Sequence, residues 1–139
     1  MRTLLSTVAG LGAAALMAAM PVAAIADQSL GIYQTTDRKM DFGLNLCGSS
    51  GKNLCVTLLA ARGSADVPQV HPYLGKLAVN NATPTGPDRW KGHIVIQGFS
   101  GDGTLTLNPG TNFIMHGCTM VVVCADFTLI PALKQTAAP

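Results

Sequence analysis

"LNLCGSSGKNLCVTLL", Leu44 to Leu59, sets two cysteines eight positions apart around a polar, glycine-rich centre and between two alternating apolar runs. Upstream, Met40, Phe42, Leu44 and Leu46 alternate with Lys39, Asp41, Gly43 and Asn45; downstream, Leu54, Val56, Leu58 and Ala60 share one parity. Such alternation puts every second side chain on one face of a strand. Folded antiparallel about Gly51, the two segments set Leu46 against Val56, Leu44 against Leu58, and Cys47 against Cys55 on the face away from the core. Opposed Cα atoms in such a ladder lie about 4.5–5.5 Å apart, a span that a disulfide bridges. The closed loop is short, so its chain-entropy contribution is only about 2.6 kcal/mol.

The other two cysteines, Cys118 and Cys124, repeat the pattern in "NFIMHGCTMVVVCADFTLI". Pairing them places Met115 opposite Phe127, Phe113 opposite Leu129, and His116 opposite Asp126 as a cross-strand ion pair when the imidazole is charged. The turn would then fall in Thr119–Val123, whose three valines form strands better than turns. A competing reading makes Met120–Val123 a buried strand and sends Cys118 or Cys124 to a distant partner; the local clip is favoured. An even cysteine count in an exported chain makes disulfides the default. The spacings of eight and six are not those of a zinc knuckle, and no Cys-x-x-Cys redox motif is present.

Export itself is expected from residues 1–26: Arg2, then an Ala-, Leu- and Gly-rich run from Leu4 to Met20, and Ala24-Ile25-Ala26 as a small-x-small cleavage site. Cleavage after Ala26 would deliver a periplasmic or secreted chain of 113 residues with no remaining membrane span. That is one small domain, over 27–133, with a loose tail over 134–139. Of nine Lys and Arg only Arg2 falls in the leader, against seven acidic residues that are all Asp. This near balance, with no basic cluster, excludes a nucleic-acid footprint.

Gly31–Thr36 reads as a first strand and Asp37-Arg38 as a turn. Ala61–Gly75 is a long aperiodic connection with room for one helical turn, lying across one end of the sheet. Lys76–Val79 is a short strand, and "NNATPTGPDR" (80–89) a loop. In Trp90–Gly98, Trp90, Ile94 and Ile96 share one face and Lys91, His93 and Gln97 the other. "SGDG" (100–103) is a tight turn, because Asp-Gly is a strong hairpin signal. Thr104–Leu107 is another strand, Asn108-Pro109-Gly110 a turn, and the last hairpin ends at Pro131. About eight short strands and no helix after the leader predict an all-β antiparallel meander closing into a small barrel, with a β-sandwich as the alternative.

Gly31, Tyr33, Cys47, Gly48, Leu54, Cys55, Leu74, Gly75, Trp90, Gly92, Thr104 and Leu105 stand in an order that resembles the DUF2147 family of small exported bacterial proteins. The resemblance covers most of the chain after the leader; its strongest element is the Cys-Gly…Leu-Cys hairpin followed by a Trp-x-Gly strand. It implies a lipocalin-like (calycin) barrel with room for an interior ligand, and neither a reaction nor catalytic residues. The family's Tyr-Asp-Pro…Gly-Lys-x-Tyr stretch is replaced by "HIVIQGFSGDGTLTL", and the second cysteine pair is an addition, so cavity-lining residues do not carry over from those regions.

His71, His93 and His116 are the only histidines, and none is placed by spacing in a metal set. No serine lies in a nucleophile elbow, and no two aspartates are forced together. Asn81-Ala82-Thr83, followed by Pro84, reads as loop chemistry. The chain is therefore read as a non-enzyme without metal or cofactor. Its candidate ligand or partner surface is Trp90, otherwise a core anchor, together with the apolar tip Met120, Val121 and Val122. The first choice of cover for that tip is the 61–75 connection. Two functions remain: a binding module for a small apolar or amphipathic molecule, or a structural or protein-interaction component of the envelope with a filled barrel.

Overall fold

The computed structural model describes residues 28–120 and 123–132. The leader over 1–26, the tail over 134–139, Val121 and Val122 lie outside them. Eight strands form a closed antiparallel barrel in chain order: β1 Gln28–Thr35, β2 Met40–Cys47, β3 Asn53–Ala61, β4 Leu77–Gly86, β5 Arg89–Ile96, β6 Phe99–Asn108, β7 Asn112–Met120 and β8 Val123–Pro131. The expected meander and its closure are both present, and the sandwich is not.

The interior is solid. Phe42, Leu44, Leu54, Val56, Ile94, Leu105, Phe113, Met115 and Leu129 are essentially fully buried and belong to one continuous cluster. Narrow barrels of this kind are filled by their own side chains. The interior ligand space implied by the family resemblance is therefore taken up by the core. Trp90 anchors one end: it is 5% exposed, and its indole N–H donates to the Lys52 carbonyl across 2.9 Å. The connection between β3 and β4 covers the opposite end. It carries two single 3₁₀ turns, Gly63–Ala65 and His71–Tyr73, and inserts a fully buried Val70 into the core.

Three local readings need correction. In the first hairpin Cys47 pairs with Asn53, Leu46 with Leu54 and Leu44 with Val56, two residues away from the expected register. A shift of two keeps every side chain on its face, so the apolar pattern could not detect it. The disulfide still forms, diagonally, with Cα atoms 5.9 Å apart. Second, 80–86 is not loop but the continuation of β4. Asn81 adopts a left-handed φ of 54° in a stretch where the register shifts, and Pro84 is accommodated beside another shift.

Third, Ser100–Gly103 is not a turn. It lies inside β6, where Asp102 pairs with His93 and Gly103 with Gly92. The turn is Gln97-Gly98, with Gly98 at φ 74°. Gly101 and Gly103 serve a different need: β7 crosses so close that an added Cβ would lie 2.3 Å from the Cys118 carbonyl oxygen and 2.1 Å from that of His116. Glycine here answers to a close approach between backbones, not to a positive φ.

That distinction is measurable. Gly103→Ala should destabilise the barrel by about 2–3 kcal/mol in urea unfolding, because the clash is with backbone that cannot swing away. Gly86→Ala, where nothing lies within 4 Å, should change it by less than about 0.5 kcal/mol. Equal costs for the two would show that β7 is free to move off β6.

Candidate functional site

The barrel closes unevenly. Strands β2 and β3, and β5 and β6, pair along most of their lengths. By contrast, among the described residues β1 and β8 pair only Tyr33 with Pro131, Gln34 with Ile130, and Thr35 with Leu129, with one further bond from the Ala132 N–H to the Ile32 carbonyl. Past Thr35 the chain turns through Thr36–Lys39, while β8 runs on to Val123 with a ladder partner on its β7 side only. The two strands diverge, and a cleft of about 250 Å³ opens between them at the barrel mouth.

Partly buried Met40, Ile96 and Phe127 supply the cleft's apolar walls over a floor of core residues Phe42, Met115 and Leu129, and Thr35, Thr36, Thr128 and Asp126 its polar ones. The Phe127 ring is held edge-on against Phe99, with centroids 5.4 Å apart. The β1–β2 turn that forms one wall is fixed by Asp37, which accepts the Thr35 hydroxyl at 2.6 Å and the Lys39 backbone N–H at 3.1 Å. Chiefly through the Thr35 hydroxyl, these bonds hold the Asp37 carboxyl below its usual value. A depressed carboxylate stabilises the fold above its unfolded pKa, and that contribution fades as pH falls through the folded one. Acid therefore weakens the bonds that hold this turn. Burial pushes the Tyr33 phenol up, as expected for a group set among Phe113 and the core.

The outer face of β5–β8 carries a second group of polar side chains. One row across the ladder is His93, Asp102, Cys118 and Cys124; the next holds Thr104, His116 and Asp126. The Cys118–Cys124 disulfide joins directly opposed residues, with Cα atoms 3.9 Å apart, so the local clip is the pairing present. Met115 opposite Phe127, Phe113 opposite Leu129, and His116 bonded through Nδ1 to Asp126 are all as read from the sequence. His71 is engaged by Asp66 in the long connection.

His93 has a set of contacts that sequence reading missed. Its Nδ1 lies 2.9 Å from Asp102 and its Nε2 3.0 Å from the Ser100 hydroxyl. The order of bonds is that of nucleophile, base and orienting acid. The surroundings are not: the Asp102 side chain is 92% exposed, so water competes for the carboxylate and weakens its hold on the imidazole. The adjoining groove, along Lys91, Gly92, His93, Asp102 and Gly103, is open to solvent and gives a substrate little to desolvate against. The signal that could have found the trio was parity: Ser100 and Asp102 share His93's face once 100–103 is read as strand.

Of the candidate surface residues, Trp90 is occupied as a core anchor, leaving little surface for a ligand. Met120 is 72% exposed and its ladder partner Val123 54%. Val121 and Val122 are not among the described residues. The long connection caps the barrel mouth through Val70 and leaves Met120 and Val123 uncovered, so the expected cover of the tip is absent at these two residues. No helix among the described residues is long and apolar enough to cross a membrane. No protein-family profile, curated protein or solved structure gives a significant match to this chain.

The two disulfides differ in access: Cys47 is 6% exposed and Cys55 half-buried, whereas Cys118 is half-buried and Cys124 exposed. Exchange requires a thiolate to reach sulfur. Timed reduction with alkylation and mass spectrometry should therefore label Cys118 and Cys124 at least several-fold faster than Cys47 and Cys55. Equal labelling rates would show that the first hairpin opens as easily as the second.

Proposed function

We propose that this is an exported, non-catalytic binding module that takes a small apolar or amphipathic molecule in the mouth cleft between β1 and β8, and not inside the barrel. The observation that carries this reading is the composition of the cleft. Met40, Ile96 and Phe127 converge over buried Phe42, Met115 and Leu129, beside Thr35, Thr36 and Thr128. Largely apolar walls with a few orienting polar groups are how small-molecule sites are built. At about 250 Å³ the space fits a short chain or a single ring system and not a drug-sized molecule. Export is supported by the two disulfides, which persist in an oxidising compartment, and by the leader's composition. Membership of the DUF2147 family remains part of this proposal, resting on the order of matching residues and on a barrel of the implied kind.

A specific pair of observations favours a second reading, an envelope component that binds another protein. The interior is filled, and the β7–β8 hairpin presents exposed Met120 and Val123 next to a half-edge of β8 that has no second strand among the described residues. Such an edge can accept an extended segment by main-chain hydrogen bonds.

Thermal-shift screening against short-chain fatty acids, isoprenoids and aromatic acids separates the two. A ligand at about 100 times its Kd should stabilise the fold by about 2.7 kcal/mol, a rise of roughly 10 °C in Tm. Thr128→Trp, at an exposed strand position that lines the cleft, should abolish that shift with an unchanged circular-dichroism spectrum. No shift with any compound would sink the small-molecule reading. Export predicts a processed polypeptide beginning at Asp27, and Ser100-dependent ester hydrolysis would overturn the non-catalytic assignment.

A further inference from the structure

The outer face of the β7–β8 hairpin gathers three metal-ligating side chains that the cleft does not use. A ring nitrogen of His116 and the Sγ atoms of Cys118 and Cys124 all lie within 4.8 Å of one another. We infer that this hairpin is a redox-gated site for a borderline-soft d¹⁰ cation such as Zn²⁺, closed as a disulfide and opened by an external dithiol.

The geometry supports three requirements of such a site. The first is ligand type: two thiolates and an imidazole suit Zn²⁺ or Cu⁺, and three protein ligands with one open position make a recognised zinc arrangement. The second is spacing. Zn–S of about 2.3 Å and Zn–N of about 2.0 Å require ligand atoms roughly 3.5–3.8 Å apart. Rotation about the cysteine side chains supplies that separation once the S–S bond is broken, because the two Cα atoms stand only 3.9 Å apart. The third is orientation. Asp126 engages His116 Nδ1, the arrangement that carboxylates impose on metal-binding histidines, and in the neutral ring this leaves Nε2 as the ligand atom.

The hairpin does not depend on the disulfide for its register. From Phe113–Leu129 through Gly117–Ala125 the ladder is continuous, and Phe113, Met115 and Leu129 are anchored in the core. Reduction therefore leaves the ligands in place. In the exchange step the incoming dithiol's two sulfurs pair with each other as the Cys118–Cys124 bond breaks, and its two protons end on Cys118 and Cys124. The cation then displaces both protons to solvent and takes both sulfurs as thiolates. The spacing of six along the chain hid this set, since ligands gathered across a ladder have no short motif.

The test reduces the protein with a water-soluble phosphine, removes the reductant without air, and identifies the open disulfide by alkylation and mass spectrometry. Zn²⁺ is then titrated against a chromophoric chelator. One equivalent should bind with submicromolar affinity to protein whose Cys118 and Cys124 are free and whose Cys47–Cys55 bond is intact. His116→Ala should weaken binding by at least about tenfold, while His71→Ala leaves it unchanged. The oxidised protein and the Cys118→Ser/Cys124→Ser variant should bind no zinc at these concentrations, the variant retaining its β-type circular dichroism. Equal affinity in oxidised and reduced protein, no effect of His116→Ala, no binding at 10 µM as an order-of-magnitude ceiling, or loss of the β spectrum on reduction would each overturn the inference.

Discussion

Filling a narrow barrel from its own strands is the constraint on which the other features depend. Every inward position must either contribute apolar volume or leave room for a neighbour. Leucine, valine, isoleucine and phenylalanine side chains do the first along β2, β3, β5, β6 and β7. Gly92, Gly101, Gly103 and Gly117 do the second. A Cβ on Gly92 would meet Ala82, and one on Gly117 would meet Phe99 and Ile94. Large and small positions thus interlock across adjacent strands, and the interior has no space left for a ligand.

The same constraint displaces function to the periphery. With the interior occupied, the apolar concavity among the described residues opens where the β1–β8 ladder parts. Among the described residues three pairs close the barrel there, and the strands then separate beyond Thr35 and Leu129. The mouth cleft is the geometric consequence of that short seam, lined by residues whose neighbours a few positions deeper are core. Arg62, paired with Asp41 and bonded to the Arg38 carbonyl, ties the start of the long connection back to β2 and its turn. Half-exposed pairs of this kind contribute little free energy, so their role is to place the connection across the mouth.

Outward positions answer to different rules. On the face of β5–β8, parity and register alone decide which side chains meet, and they bring together two His–Asp pairs with a disulfide between them. The trio of Ser100, His93 and Asp102 shows how far that proximity goes: bonds in the right order, in a setting too wet to make them strong. The sulfur–imidazole set on β7 and β8 differs because its chemistry needs proximity and ligand type, not desolvation.

Alternation in "KMDFGLNLC", "LCVTLLA" and "NFIMH" was enough to specify strands, their inward faces and the all-β class, because a side-chain period of two is a property of the chain alone. It was also enough for the second hairpin, where cysteine, apolar and charged pairs agree on one register. What tertiary structure decided is everything that parity leaves degenerate. A two-residue slip in the first hairpin conserves every face. Asp102-Gly103 satisfies a turn as well as it satisfies a crossing strand. The cleft arises from where β1 and β8 part, a distance of nearly the whole chain in sequence. Local periodicity fixes which way a side chain points; only closure of the barrel fixes what it meets.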